Sequence, residues 1–156
     1  MSMTGYFVAV PQPALETVRE NPEDISDFLF ETHAESALDI GKAWHGIHFL
    51  LTESAGSGTG PLANVVYGLT PLDEEMSYGP VLATDATDVP AIAAALAAVA
   101  DDALRLCFDR QAMGDIYPND WDEPDALDWL MENLQALRRF YADAAAAHLA
   151  VIMWVG

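Results

Sequence analysis

Leu38-Asp39-Ile40-Gly41-Lys42-Ala43-Trp44-His45-Gly46-Ile47-His48-Phe49-Leu50-Leu51-Thr52 holds the chain's lone lysine, two of its four histidines and one of its four tryptophans. Advanced at about 100° per residue, Ile40, Ala43, Trp44, Ile47, Leu50 and Leu51 share one helical face. Gly41, His45, His48 and Thr52 run along one edge of that face, while Lys42 and Phe49 point the other way. Thr32 with Glu35 and Ser36 with Asp39 form overlapping capping-box patterns, which leave the exact helix start open. Asp39 near that start complements the helix dipole. Glycine inside a helix costs about 1 kcal/mol relative to alanine. Gly41 and Gly46 therefore point to the close approach of another element or a ligand, or to tolerated substitution.

Outward from this stretch, Gly5 to Val10 reads as a strand, aromatic and β-branched, stopped by Pro11 and Pro13. Its lack of polar alternation implies that both faces are covered. Ala14 to Glu20 is a short helix with Pro13 in its first turn, and Pro22 to Phe30 is a second. Ser54 to Pro61 is a glycine-rich loop without the Lys-Ser/Thr of a phosphate loop. Asn64 to Tyr67 fits a short strand, and the turn Tyr78-Gly79-Pro80 leads into an extended piece, Val81 to Ala83. Thr87-Asp88 caps a helix running to Ala100, and Asp101-Asp102 starts another through Phe108. Asp122 caps the last and longest helix, Glu123 to Ala147, whose core stripe is Leu127, Leu130, Met131, Leu134, Leu137 and Tyr141. Arg138 falls inside that stripe. Ala150 to Val155 is a buried strand. Pairing the two terminal strands predicts an α+β fold for residues 1–156: a single domain with a small central sheet including the N- and C-terminal strands, packed with about five or six helices.

Composition narrows the function classes. The chain has 156 residues, 52% of them hydrophobic, which is enough for a core. Its 25 acidic and 6 basic residues give a formal charge of −19. That field opposes phosphate backbones and anionic membranes, so neither nucleic acid nor a membrane is expected as partner. It suits a basic protein partner or a cation. Cys107 is the lone cysteine, which rules out an internal disulfide and fits a reducing cytoplasm. The N-terminus lacks a secretory pattern, and Ala91 to Ala100 is about half a membrane span.

The constellations able to carry chemistry are few. His45 and His48, three apart on one helix edge, could reach one metal. No spacing selects a third ligand, and a histidine pair beside an apolar face is more often hydrogen-bonded structure. Cys107 sits in an apolar run, the mark of an inert thiol. Asp115, Asp120, Asp122, Glu123, Asp125 and Asp128 cluster, yet the glycine and later glutamate of a calcium loop are missing. No catalytic residue, metal or cofactor is therefore assigned. Arg138 in a core stripe must either pair with an acid or carry its head to solvent along a packed stem.

Lys42 to Thr52, Tyr78-Gly79-Pro80, Ile116-Tyr117-Pro118 with Trp121, and the N-terminal Gly5-Tyr6-Phe7 come in the order found in the YfbM-like family of bacterial proteins, domain-of-unknown-function family 1877, which this chain resembles over nearly its whole length. The resemblance implies a single α/β domain of about this length and no particular reaction. Family members often carry a basic residue shortly after Tyr-Gly-Pro, whereas Val81 to Thr84 here is neutral. If that residue serves an anion in the family, this chain either lacks the function or uses Arg138 instead.

Two functions are compatible with these features. The first is a non-enzymatic, soluble binding or protein-interaction domain with a strongly acidic surface; neutralising a basic toxin is one concrete form. The second is a small enzyme or ligand-binding protein whose pocket lies beside the His45/His48 edge and is lined by Gly41, His45, His48, Tyr78, Tyr117, Trp121 and Arg138. In a third, purely structural account the Trp-His helix is the core, and its histidines tie neighbouring loops to it.

Overall fold

The C-terminal run Ala150-Val151-Ile152-Met153-Trp154-Val155 has no polar residue, and such a run can be a strand only if both its faces are covered. A computed structural model describes residues 2–76 and 79–156, with all side chains in that span but those at 32, 34 and 73–76. It places this run, β5 (Ala150–Val155), in the middle of a five-stranded antiparallel sheet. On one side β5 pairs with β1 (Gly5–Val10), from Gly5 opposite Val155 to Val10 opposite Ala150. On the other it pairs with β4 (Gly79–Thr84), which continues to β3 (Thr70–Met76). The two-residue β2 (Leu38–Asp39) closes the opposite edge beside β1. The expected pairing of the terminal strands is thus the centre of the fold.

Alternate residues of these strands feed two cores. Phe7, Val151 and Met153 enter the larger one, with helices α3 (Trp44–Thr52), α4 (Pro61–Tyr67), α5 (Val89–Ala98), α6 (Asp101–Cys107) and α7 (Ala126–Ala146). Val8, Val10, Ile152 and Trp154 enter the smaller one. There α1 (Gln12–Glu20) contributes Leu15 and Val18, and the helical stretch after it, whose regular turn is α2 (Ile25–Asp27), contributes Ile25 and Leu29. Gln12 Nε2 donates to Asp85 Oδ1 at 2.9 Å and Arg19 to the same oxygen at 3.1 Å, tying α1 to the segment after β4. Those contacts, the Gln12 hydrogen bond foremost, hold the Asp85 carboxyl below its usual range. None of the described helices is long and apolar enough to cross a membrane.

The structure corrects several local expectations. Asn64 to Tyr67 is the second half of α4, not a strand. Pro61 stands at its start, Gly60 and Gly68 flank it with φ of 95° and 61°, and its Ala63, Val65 and Val66 are buried. Residues 70–76 form a strand that the sequence hid. Pro71 and three consecutive acids erase any alternation, although such residues suit an edge strand that must not recruit a further one. α7 begins at Ala126 with no capping bond from a side chain, so Asp122 does not cap it. The Ser36–Asp39 capping box before the central helix is not formed, since Ser36 Oγ donates to His33 O instead, and the Thr32 side chain of the other box lies outside those described. A 3₁₀ turn, Gly41–Ala43, precedes α3, and Asp39 lies in β2 with its carboxylate accepting from Gly41 N–H at 2.7 Å.

The glycines of the central stretch have separate reasons. Gly41 has φ +58° and open space around its missing side chain, so it is a turn glycine. Gly46 is the close approach: a Cβ there would lie 2.6 Å from Trp121 Cη2 and 2.8 Å from Leu130 Cδ2. What comes close is the protein's own loop and α7. Gly46→Ala should therefore lower the unfolding free energy by about 1–3 kcal/mol through overpacking, although alanine is the better helix former by about 1 kcal/mol. Gly41→Ala should cost about 1–2 kcal/mol through its left-handed backbone alone. Urea unfolding of both variants measures this, and an unchanged or stabilised Gly46→Ala would show that the indole can step aside.

Candidate functional site

α3 is buried almost all round, so the polar edge of its sequence faces other chain segments. His45 Nε2 lies 3.0 Å from the Ala55 carbonyl, and His45 Nδ1 accepts from Tyr117 N–H at 3.0 Å. A carbonyl only accepts, so the ring proton of His45 sits on Nε2. His48 is wholly buried, and its Nε2–H donates to the Gly56 carbonyl at 2.7 Å. Its Nδ1 has no hydrogen-bond partner among the described residues. Burial pushes the His48 pKa down, more than the bond to Gly56 raises it, and the nearby His45 lowers it further. Tyr67 Oη adds a second donor to Ala55 O at 3.2 Å. Two histidines and a tyrosine thus hold two consecutive carbonyls of the glycine-rich loop that follows α3. The loop leaves the helix through Glu53, in the left-handed region at φ 57°.

Trp44 opens α3 and anchors its other end. Its indole N–H donates to Met3 O at 2.8 Å, and its ring stacks on His45 and Tyr117 at 5.0 and 6.0 Å. Tyr117 Oη accepts from Met3 N–H at 3.0 Å, so Tyr117, Trp44 and the N-terminal segment close on one another. Trp121 lies across Gly46 with its N–H donated to Ile116 O at 2.9 Å. His45, His48, Tyr117 and Trp121 are therefore brought together around α3, with Gly41 at the turn before it. Tyr78 lies outside the described residues.

Arg138 belongs to a different neighbourhood. Its Nε donates to Leu96 O at 3.0 Å and its Nη2 to Val99 O at 2.7 Å, while Nη1 pairs with Asp101. The guanidinium thus caps the C-terminal end of α5 and joins it to the first turn of α6, and this contact holds the Asp101 carboxyl low. Tyr141, one turn further along α7, donates to Val65 O of α4. Among the described residues no three His, Cys, Asp or Glu side chains form a group able to hold a metal ion. Burial first, and the charge of Glu53 second, push the Cys107 thiol up, which leaves it a weak nucleophile.

A concavity lies beside Trp44. A cavity of about 490 Å³ opens between α3, α4 and the β4–β5 pair, with Trp44, Tyr67, Leu69, Pro80, Leu82 and Val155 supplying its apolar walls. Asn64 of α4 and Ser57 of the pinned loop supply its polar side chains. Asn64 and Tyr67 were not expected at a site. Their signal was the three-residue spacing that puts both on one helical face, which becomes visible once residues 61–67 are read as helix. A second, shallower groove of about 380 Å³ lies beside the start of α7, where Asp120, Glu123 and Asp125 meet Lys42 and Trp129.

Two measurements test these assignments. The folded-state pKa of His48 lies below its ordinary value of 6.5, so its contribution to stability is full above that value and is lost as pH falls through the folded-state value. Urea midpoints should therefore drop between about pH 7 and about pH 5, and His48→Gln should flatten that slope. A variant with the wild-type slope would remove His48 as its source. Arg138→Met should cost about 2–3 kcal/mol by stranding the carbonyls of Leu96 and Val99. Arg138→Lys should recover only part, because an ammonium lacks the planar fork; full recovery in thermal or urea unfolding would reduce Arg138 to its charge.

A family model described as a domain of unknown function, DUF1877, matches residues 1–154. The fold is similar to a crystal structure from Escherichia coli, that of YfbM, a protein of unknown function, with a TM-score of 0.81 and 22% identity, covering 99% of this chain and 100% of that one. No curated protein matches the chain. With the family model spanning the sheet from its first strand into its last, the chain belongs to the DUF1877 family.

Proposed function

We propose that this domain is a non-enzymatic protein-interaction module whose acidic surface receives a basic partner. The observation that carries the reading is how the few cations are used. Of the 6 basic residues, Arg19, Arg105 and Arg138 are committed to ion pairs with the chain's own carboxylates. Arg110 donates to Trp121 O at 2.6 Å. Lys42 and Arg139 are exposed, against 25 acidic residues. Apart from the half-buried Asp85, every acid whose side chain is described is exposed. Such a field accelerates encounter with a cationic partner and opposes nucleic acid and anionic membrane. A non-catalytic role is supported by His45, whose two ring nitrogens are both taken by main-chain groups, and by the raised thiol of Cys107. A single cysteine suits a cytoplasmic setting.

The test is capture of partners by the whole chain from a lysate of its source cells, at low and at high salt, with charge-reversed variants. Basic proteins should be retained at low ionic strength and released as salt rises. Reversing Asp120, Glu123 and Asp125 to lysine, or Glu20, Glu23 and Asp24 to lysine, should weaken capture of the same partner by at least about tenfold in one of the two sets. Partners that are not basic, salt-independent capture, or full retention by both variants would each overturn the reading.

A further inference from the structure

We infer that the cavity between α3, α4 and the β4–β5 pair binds an uncharged, ring-bearing small molecule, and that the loop after α3 is its preformed wall. Three observations carry this. The first is size: about 490 Å³ lies within the range of roughly 300–1,000 Å³ typical of small-molecule sites.

The second is lining. An indole, a phenol ring and aliphatic side chains make most of the surface, and the Asn64 amide and the Ser57 hydroxyl are the polar side chains. Among the described lining residues none is charged. An ionised ligand would meet no counter-charge there, and an anion would also enter against the protein's own field. A neutral molecule with a flat apolar body and one hydrogen-bonding group matches both the walls and the two polar side chains.

The third is preorganisation. The wall formed by Ser57 and Gly58 follows directly on the Ala55 and Gly56 carbonyls that His45, His48 and Tyr67 hold. Trp44 is fixed by its bond to Met3 O and by stacking on His45 and Tyr117. Walls that are already ordered lose little entropy on binding. In this arrangement the histidines are positioning residues. His45 touches the loop and the indole, His48 the loop and the ring of Tyr67, and through these contacts they shape the cavity. This site is separate from the acidic docking surface, and either can fail without the other.

The experiment is titration of the whole chain with N-phenyl-1-naphthylamine, an uncharged aromatic probe whose emission rises in apolar surroundings, together with amide chemical-shift mapping of the same titration. One saturable site is expected, with the largest shifts at residues 67–69 and 79–82. Leu82→Trp, which fills the cavity, should weaken binding by at least about tenfold. Leu69→Trp at the exposed rim is the second blocking variant should the first fail to fold, with the same expectation. No saturable binding, shifts centred elsewhere, or a folded blocking variant that binds like the wild type would each overturn the proposal.

Discussion

The arrangement of the larger core depends on a contact that needs the absence of a side chain. Where α3 passes beneath Trp121 and Leu130, only the hydrogen of Gly46 fits between helix and indole. That approach seats the aromatic loop of residues 116–121 on α3, and Trp121 in turn packs against Phe108 and Trp129. With the loop seated, Tyr117 N–H reaches His45 Nδ1, which leaves the ring's other nitrogen to hold the loop after α3. A methyl group at Gly46 would disturb the whole series, since close-packed interiors transmit small volume changes to their neighbours.

A second constraint is the supply of hydrogen-bond donors. Helix ends leave carbonyls that must be satisfied, and this chain has few cations with which to do it. Arg138 serves two carbonyls at the end of α5 with one guanidinium, Tyr141 serves one in α4, and Arg110 serves the carbonyl of Trp121. Histidines do the same for the loop after α3. Groups that suggest catalysis or anion binding by their type are thus engaged in holding main chain.

Legibility followed the length and burial of each element. The terminal strands announced themselves because strands covered on both faces cannot afford polar residues, and the α7 stripe was readable through many turns of one period. The set of α3 residues expected to point inward, from Ile40 to Leu51, is buried, although Ile40 and Ala43 lie before the helix proper. Residues 61–67 misled because Val-Val-Tyr favours extended backbone, an intrinsic preference that burial of Ala63, Val65 and Val66 against neighbouring helices overrides. The edge strand β3 was silent because its pairing is carried by backbone atoms, which every residue but proline supplies in full. Among the site residues, the grouping of His45, His48, Tyr117 and Trp121 could be anticipated from type and order. The separate location of Arg138 could not, since a position in a helical stripe says which face is covered and nothing of which element covers it.

By itself the sequence determined the α+β class, the central pairing of the chain ends, the family, and an excess of acids that no fold could bury. Those properties follow from periodicity and composition, which are local or summed over the chain. Only the tertiary structure decided what stands over Gly46, which carbonyls the histidines and Arg138 serve, and where a cavity remains beside Trp44. Each of these joins residues far apart in the chain, and a hydrogen bond or a void is defined by the distance between atoms, which chain order alone leaves free.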